Sequence, residues 1–96
     1  MSLERDSDGY LLSMADWTVD VMHEMATADG YELTPEKIAH IMKAQEYYEE
    51  TSSVPAIRNF AKYIGEDKKD IFAMWMTGPM KPITKYGGLP KPTGCV

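Results

Sequence analysis

Ninety-six residues with a single cysteine describe one domain, close to the lower size at which a hydrophobic core holds without covalent staples. One thiol excludes an intrachain disulfide and fits a reducing compartment, so a cytoplasmic protein is expected. The formal charge of −5 divides unevenly, with residues from Gly78 onward contributing +3 and leaving −8 on the preceding body, which weighs against a free-standing binder of nucleic acid.

Along the chain, Asp6-Ser7-Asp8-Gly9 is a turn signal between Leu3 and Tyr10-Leu11-Leu12, and predicts a short β-hairpin. Ser13 then stands as an N-cap, and Met14, Trp17, Val21 and Met25 recur at helical spacing, which predicts a first helix to about Ala28, stopped by Asp29-Gly30. Thr34 and Pro35 open a second helix with Ile38, Ile41, Met42, Gln45 and Tyr48 on one face, ended by Thr51-Ser52-Ser53. Pro55 opens a third through Ile64, closed by Gly65, and a fourth runs from about Glu66 to Met76 with Ile71, Phe72, Trp75 and Met76 as its apolar side. Met80 to Tyr86 allows one more short turn of helix, with Pro82 confined to a start position. The fold class is α+β and predominantly helical, a single domain over 1–96 with a hairpin and helical body at 1–86 and a flexible arm at 87–96.

The arm carries the chemistry. Cys95 follows Pro90, Pro92 and Gly94, residues unsuited to a packed helical interior, so its thiol is presented rather than buried. The prolines make Leu89 to Thr93 a stiff spacer, and Gly94 is a swivel beside the sulfur. Taken alone, a lone terminal thiol is more often incidental than catalytic. Lys91, Lys85 and Arg58 are cations that would favour its thiolate if the arm folds back, while the terminal carboxylate of Val96 opposes them.

The ending Gly88-Leu89-Pro90-Lys91-Pro92-Thr93-Gly94-Cys95-Val96 resembles the C-terminal arm of the DsrC/TusE family of small sulfur carriers. Asp8-Gly9-Tyr10-Leu11-Leu12, Asp16-Trp17, Glu32-Leu33-Thr34, Tyr47-Tyr48, Pro55-Ala56-Ile57-Arg58 and Gly78-Pro79 follow in the family's order, so the resemblance spans nearly the whole chain. It implies an N-terminal β-hairpin on an orthogonal helical bundle, and a Cys95 that accepts and passes on persulfide sulfur as a protein co-substrate. The implied partners are sulfur-relay proteins, with tRNA served only indirectly, or dissimilatory sulfite reductase. Arg58, Lys85, Lys91 and Gly94 are the residues expected to contact the partner or arm, and Arg58 reads equally well as a surface arginine. Two-thiol members carry a second arm cysteine where this chain has Thr84, which excludes closure of the arm by a disulfide and leaves TusE-like relay chemistry, although Gly94-Cys95-Val96 follows the DsrC pattern. The stretch between Ile64 and Gly78 is shorter than is usual in the family, which bears on partner choice.

No cofactor, metal or membrane is expected. His23 and His40 lack zinc-ligand spacing and read as surface or partly buried residues, the aromatics read as packing, and no apolar run or leader marks a span or an export signal. The rival readings are a noncatalytic subunit bound to sulfite reductase and a helix-turn-helix regulator over Thr34 to Ile64. The regulator would read DNA with little more than Arg58, Asn59 and Lys62, so DNA binding is not expected.

Overall fold

In the computed structural model, which describes residues 5–76 and 78–91, five α-helices and one 3₁₀ turn succeed one another with no strand among the described residues. Of the expected hairpin, the described residues hold one antiparallel bridge, between Arg5 and Leu11, and Leu3 lies outside them. Asp6 shapes this turn. Its Oδ1 accepts from the amides of Asp8 at 2.9 Å and Tyr10 at 3.0 Å, so one side chain satisfies two backbone donors within the turn.

The helix expected from Ser13 to Ala28 is two elements. Ser13 caps only the 3₁₀ turn Met14–Asp16, the chain extends through Trp17, and Thr18 caps α1, Val19–Ala28, by accepting from Val21 N at 3.1 Å. Trp17 leaves helical geometry and its indole Nε1 donates to the carbonyl of Tyr86, 2.6 Å away and 69 residues on.

Helix α2, Pro35–Thr51, has the predicted bounds: Thr34 accepts from Lys37 N at 3.3 Å, Pro35 fills the first turn, and Ser52 terminates it with a left-handed φ of 57°. Helix α3, Ile57–Ile64, begins two residues after the proline expected to open it, because Ala56 stays extended and Pro55 is itself buried. In α4, Lys68–Trp75, Ile71 and Trp75 lie four residues apart on the buried stripe, whereas Phe72 and Met76 fall on the outward one, Met76 being 89% exposed. Both were expected inside. Helix α5, Met80–Tyr86, is longer than a turn, since Pro82 sits among the first residues, whose N–H groups have no intrahelical acceptor in any case.

Helix α5 packs on both α2 and α1, with Met80, Ile83 and Tyr86 in the core beside Met22, Met25 and Ile41. Each such side chain taken fully from water contributes about 1.5–3 kcal/mol, so α5 is held by the centre of the domain. His40 is buried rather than at the surface. Trp75 Nε1 donates to its Nδ1 at 3.0 Å and Glu66 Oε1 lies 3.2 Å from Nε2, an arrangement that puts the ring proton on Nε2 and satisfies the ring at both ends. His23 is exposed.

Candidate functional site

Helix α5 ends in a Schellman motif that aims the arm. The amide of Gly88 donates to Lys85 O at 3.3 Å and that of Leu89 to Thr84 O at 3.0 Å, with Gly88 left-handed at φ 69° between them. Leu89 is only 5% exposed, so it belongs to the core, although it was expected to begin the stiff spacer. Two side chains fasten the backbone around this cap: Trp17 on Tyr86 O, and Gln45 of α2, whose Nε2 donates to Gly87 O at 2.7 Å. The signal for the cap, a glycine followed by an apolar residue and a proline, stands in Gly88-Leu89-Pro90, whereas Trp17 and Gln45 have no local signal for their roles.

A second set of contacts ties the same helix end to the loop after α1. Tyr86 OH and Arg5 Nη2 both donate to Asp29 Oδ2 at 2.9 Å, with Lys85 Nζ 4.0 Å from the same oxygen. Burial alone would raise the Asp29 carboxyl, but the hydrogen bonds from Arg5 and Tyr86 outweigh it and hold the group below its ordinary value. Burial first, and then donation to Asp29, push the Tyr86 hydroxyl up. Because Asp29 titrates lower folded than unfolded, the stability it contributes is present above 3.8 and is lost as pH falls through the folded value. Denaturation measured from about pH 6 down to about pH 2 should show this acid-side loss in the parent protein, and Asp29→Asn should flatten it.

Lys85 and Lys91 are brought together. With Lys81, Asp8 and Tyr10 they line a cleft of about 290 Å³ beside the arm root. Lys91 Nζ lies 2.6 Å from Asp8 Oδ2 and 3.3 Å from Asp6 Oδ2, and these bonds raise the affinity of Lys91 for its proton. Asp6 is held below the usual carboxylate value: the desolvation that would raise it is outweighed by the Tyr10 amide and Lys91. Arg58 is exposed at the start of α3 and lines a different depression, with Asn59 and Lys68. Gly94 and Cys95 lie outside the described residues. Thr84, at the position matched to the second arm cysteine, has no exposed surface; its hydroxyl donates to Met80 O at 2.6 Å and lies 3.0 Å from Tyr10 OH.

A small helical domain whose last helix is clamped in the core, with its end fastened by Trp17 and Gln45 and its chain buried up to Leu89, is the framework that the comparisons address. The chain matches the family model described as DsrC like protein over residues 1–96. It is 34% identical over 96 residues to the dissimilatory-type sulfite reductase subunit gamma of Nitratidesulfovibrio vulgaris, covering 99% of this chain and 91% of that protein. To the sulfurtransferase TusE of Escherichia coli K12 it is 32% identical over 101 residues, covering 98% of this chain and 93% of that one. The solution structure of Allochromatium vinosum DsrC superposes with a TM-score of 0.83 at 38% identity, covering 96% of this chain and 88% of that one. The oxidised gamma subunit of dissimilatory sulfite reductase from Archaeoglobus fulgidus gives 0.81 at 28% identity, covering 100% and 94%. The chain belongs to the DsrC family.

Proposed function

We propose that the protein is a sulfur carrier, acting as a co-substrate of sulfur-transfer enzymes through a persulfide on Cys95. The observation that carries this reading is the arm root: the chain is fixed by Trp17, Gln45 and the Schellman cap up to Leu89, and the sole thiol follows six residues later. Such a mounting delivers a sulfur atom away from the body into another protein's site. The Cys95 thiolate attacks the outer sulfur of a donor persulfide, an S–S bond forms on Cys95 as the donor's S–S bond breaks, and the donor leaves as a thiolate. An acceptor nucleophile then takes that outer sulfur and Cys95 is released as thiolate, so one thiol completes the cycle without an oxidant.

The partners that fit are proteins of a sulfur relay, with tRNA reached only through them, or a dissimilatory sulfite reductase; relatives of both names cover nearly the whole chain. A reducing, cytoplasmic setting suits a free thiol, and among the described residues no helix is long and apolar enough to cross a membrane. The regulator reading is weaker, because α3 offers an exposed Arg58, Asn59 and Lys62 to a DNA groove from a body of charge −8.

Incubation with a low-molecular-weight persulfide should add mass in steps of ~32 Da, one sulfur each, to the peptide ending at Val96, and Cys95→Ser should remove the additions. Loading that survives Cys95→Ser, or a parent protein that takes up no sulfur, would overturn the proposal.

A further inference from the structure

The turn at Asp6 to Tyr10 is closed by several hydrogen bonds. Asp6 Oδ1 is occupied by two backbone amides, Asp6 N donates to Tyr10 O at 2.8 Å, and Arg5 Nε donates to Gly9 O at 2.7 Å. Arg5 is in turn held by Asp29, and Tyr10 OH reaches Lys81 O at 3.2 Å and Thr84. This network leaves Oδ2 of Asp6 and Oδ2 of Asp8 converging on one partner, the ammonium of Lys91. The Asp6 carboxylate, held through Oδ1 by two amides, spends less side-chain freedom on that cation than an ordinary exposed ion pair does, and Asp8 adds a second, more exposed carboxylate.

We infer that Asp6 and Asp8 are positioning residues for Cys95: by gripping Lys91 they fix the arm at a second point beyond the Schellman cap and set the place from which the thiol works. The inference rests on the carrier reading only for what that thiol does. Cys95 lies four residues after Lys91, so its Cα stays within about 14 Å of the Lys91 Cα, the reach of four extended residues, and gripping Lys91 fixes the centre of that reach on the body. A partner that draws the arm fully out has to break the grip, and acidic side chains at its entrance would replace the two carboxylates on Lys91.

The sole thiol makes the test direct. A nitroxide attached at Cys95 should broaden the amide signals of Asp8, Tyr10 and Leu12 at low salt. Asp6→Asn with Asp8→Asn should lower the ratio of gripped to free arm about 1.5- to fivefold, the range of exposed ion pairs, and the broadening with it, and ~1 M salt should do the same to the parent. In an Asp6→Asn background, Lys91→Asp should also lose it, and adding Asp8→Lys should bring it back, which a merely structural role for the turn would not do. The Trp75 indole signal, hydrogen-bonded to His40 in the core, reports that the body is intact throughout. Broadening unchanged in the double asparagine variant, or lost without recovery on charge exchange, would overturn the inference. Persulfide loading followed by intact mass separates the two proposals: sulfur on Cys95 with no salt-sensitive contact leaves the carrier without the grip, and the contact without sulfur leaves the grip without the carrier.

Discussion

Gly88→Val is expected to detach the arm root while leaving the helical body folded. A Cβ at position 88 would lie 2.8 Å from Trp17 Cβ and Cδ1, closer than real contacts allow, and the backbone there holds φ at 69°. The left-handed conformation costs a side chain about 1–2 kcal/mol, and forcing atoms into a filled site about 1–3 kcal/mol more. The indole must then give up its bond to Tyr86 O, which removes one of the fastenings of the root. Gly65 supplies the control, because its φ is 71° and nothing lies within 4 Å of its added Cβ. Gly65→Ala should cost about 1 kcal/mol from conformation alone, and the excess in Gly88→Ala measures the clash with Trp17. The Nε1 signal of Trp17 should move toward the value of a free indole in Gly88→Val and stay in place in Gly65→Ala. An unchanged Trp17 signal in Gly88→Val would show that the root does not depend on this contact.

Much of the helical framework was legible because its boundaries are set locally. Thr34 and Pro35 start α2 with groups only one turn away, and Gly65 ends α3 by taking a conformation that glycine adopts freely. The errors occur where a distant partner decides. Met14, Trp17 and Val21 have helical spacing, yet Trp17 breaks the pattern for a carbonyl on α5, and Phe72 and Met76 look like core until α4 turns a neighbouring stripe outward. His40 reads as surface or partly buried from the sequence, and its full burial depends on Trp75 and Glu66 arriving from α4 and the loop before it. At the site, Lys85 and Lys91 stand out in the sequence as cations near the arm, and the structure brings them to one cleft. The fastenings do not stand out, since Gln45, Asp29 and Asp6 are unremarkable polar residues until the fold sets them against Gly87, Tyr86 and Lys91.

Oxidation should join two copies of the unmodified protein through Cys95 and never give a compact, reducible monomer, because no second thiol exists. Thr84→Cys supplies one at the matched position, eleven residues upstream, but the structure places it in a closed environment. Position 84 is fully buried in α5 under Tyr10, and a disulfide needs the two Cα atoms within roughly 7 Å with their Cβ atoms facing. Closure therefore waits for the last turn of α5 to open and Tyr10 to move aside. Once Cys95 carries a mixed disulfide with a small oxidant, the rate at which residue 84 resolves it should not depend on further oxidant, and should rise about tenfold when Tyr10→Ala removes the cover, equivalent to ~1.4 kcal/mol less opening cost. Non-reducing electrophoresis and thiol titration follow both steps. Thr84→Cys closing as fast with Tyr10 as without it would mean that α5 opens freely at its end, and that the Tyr10–Thr84 contact does not restrain the arm.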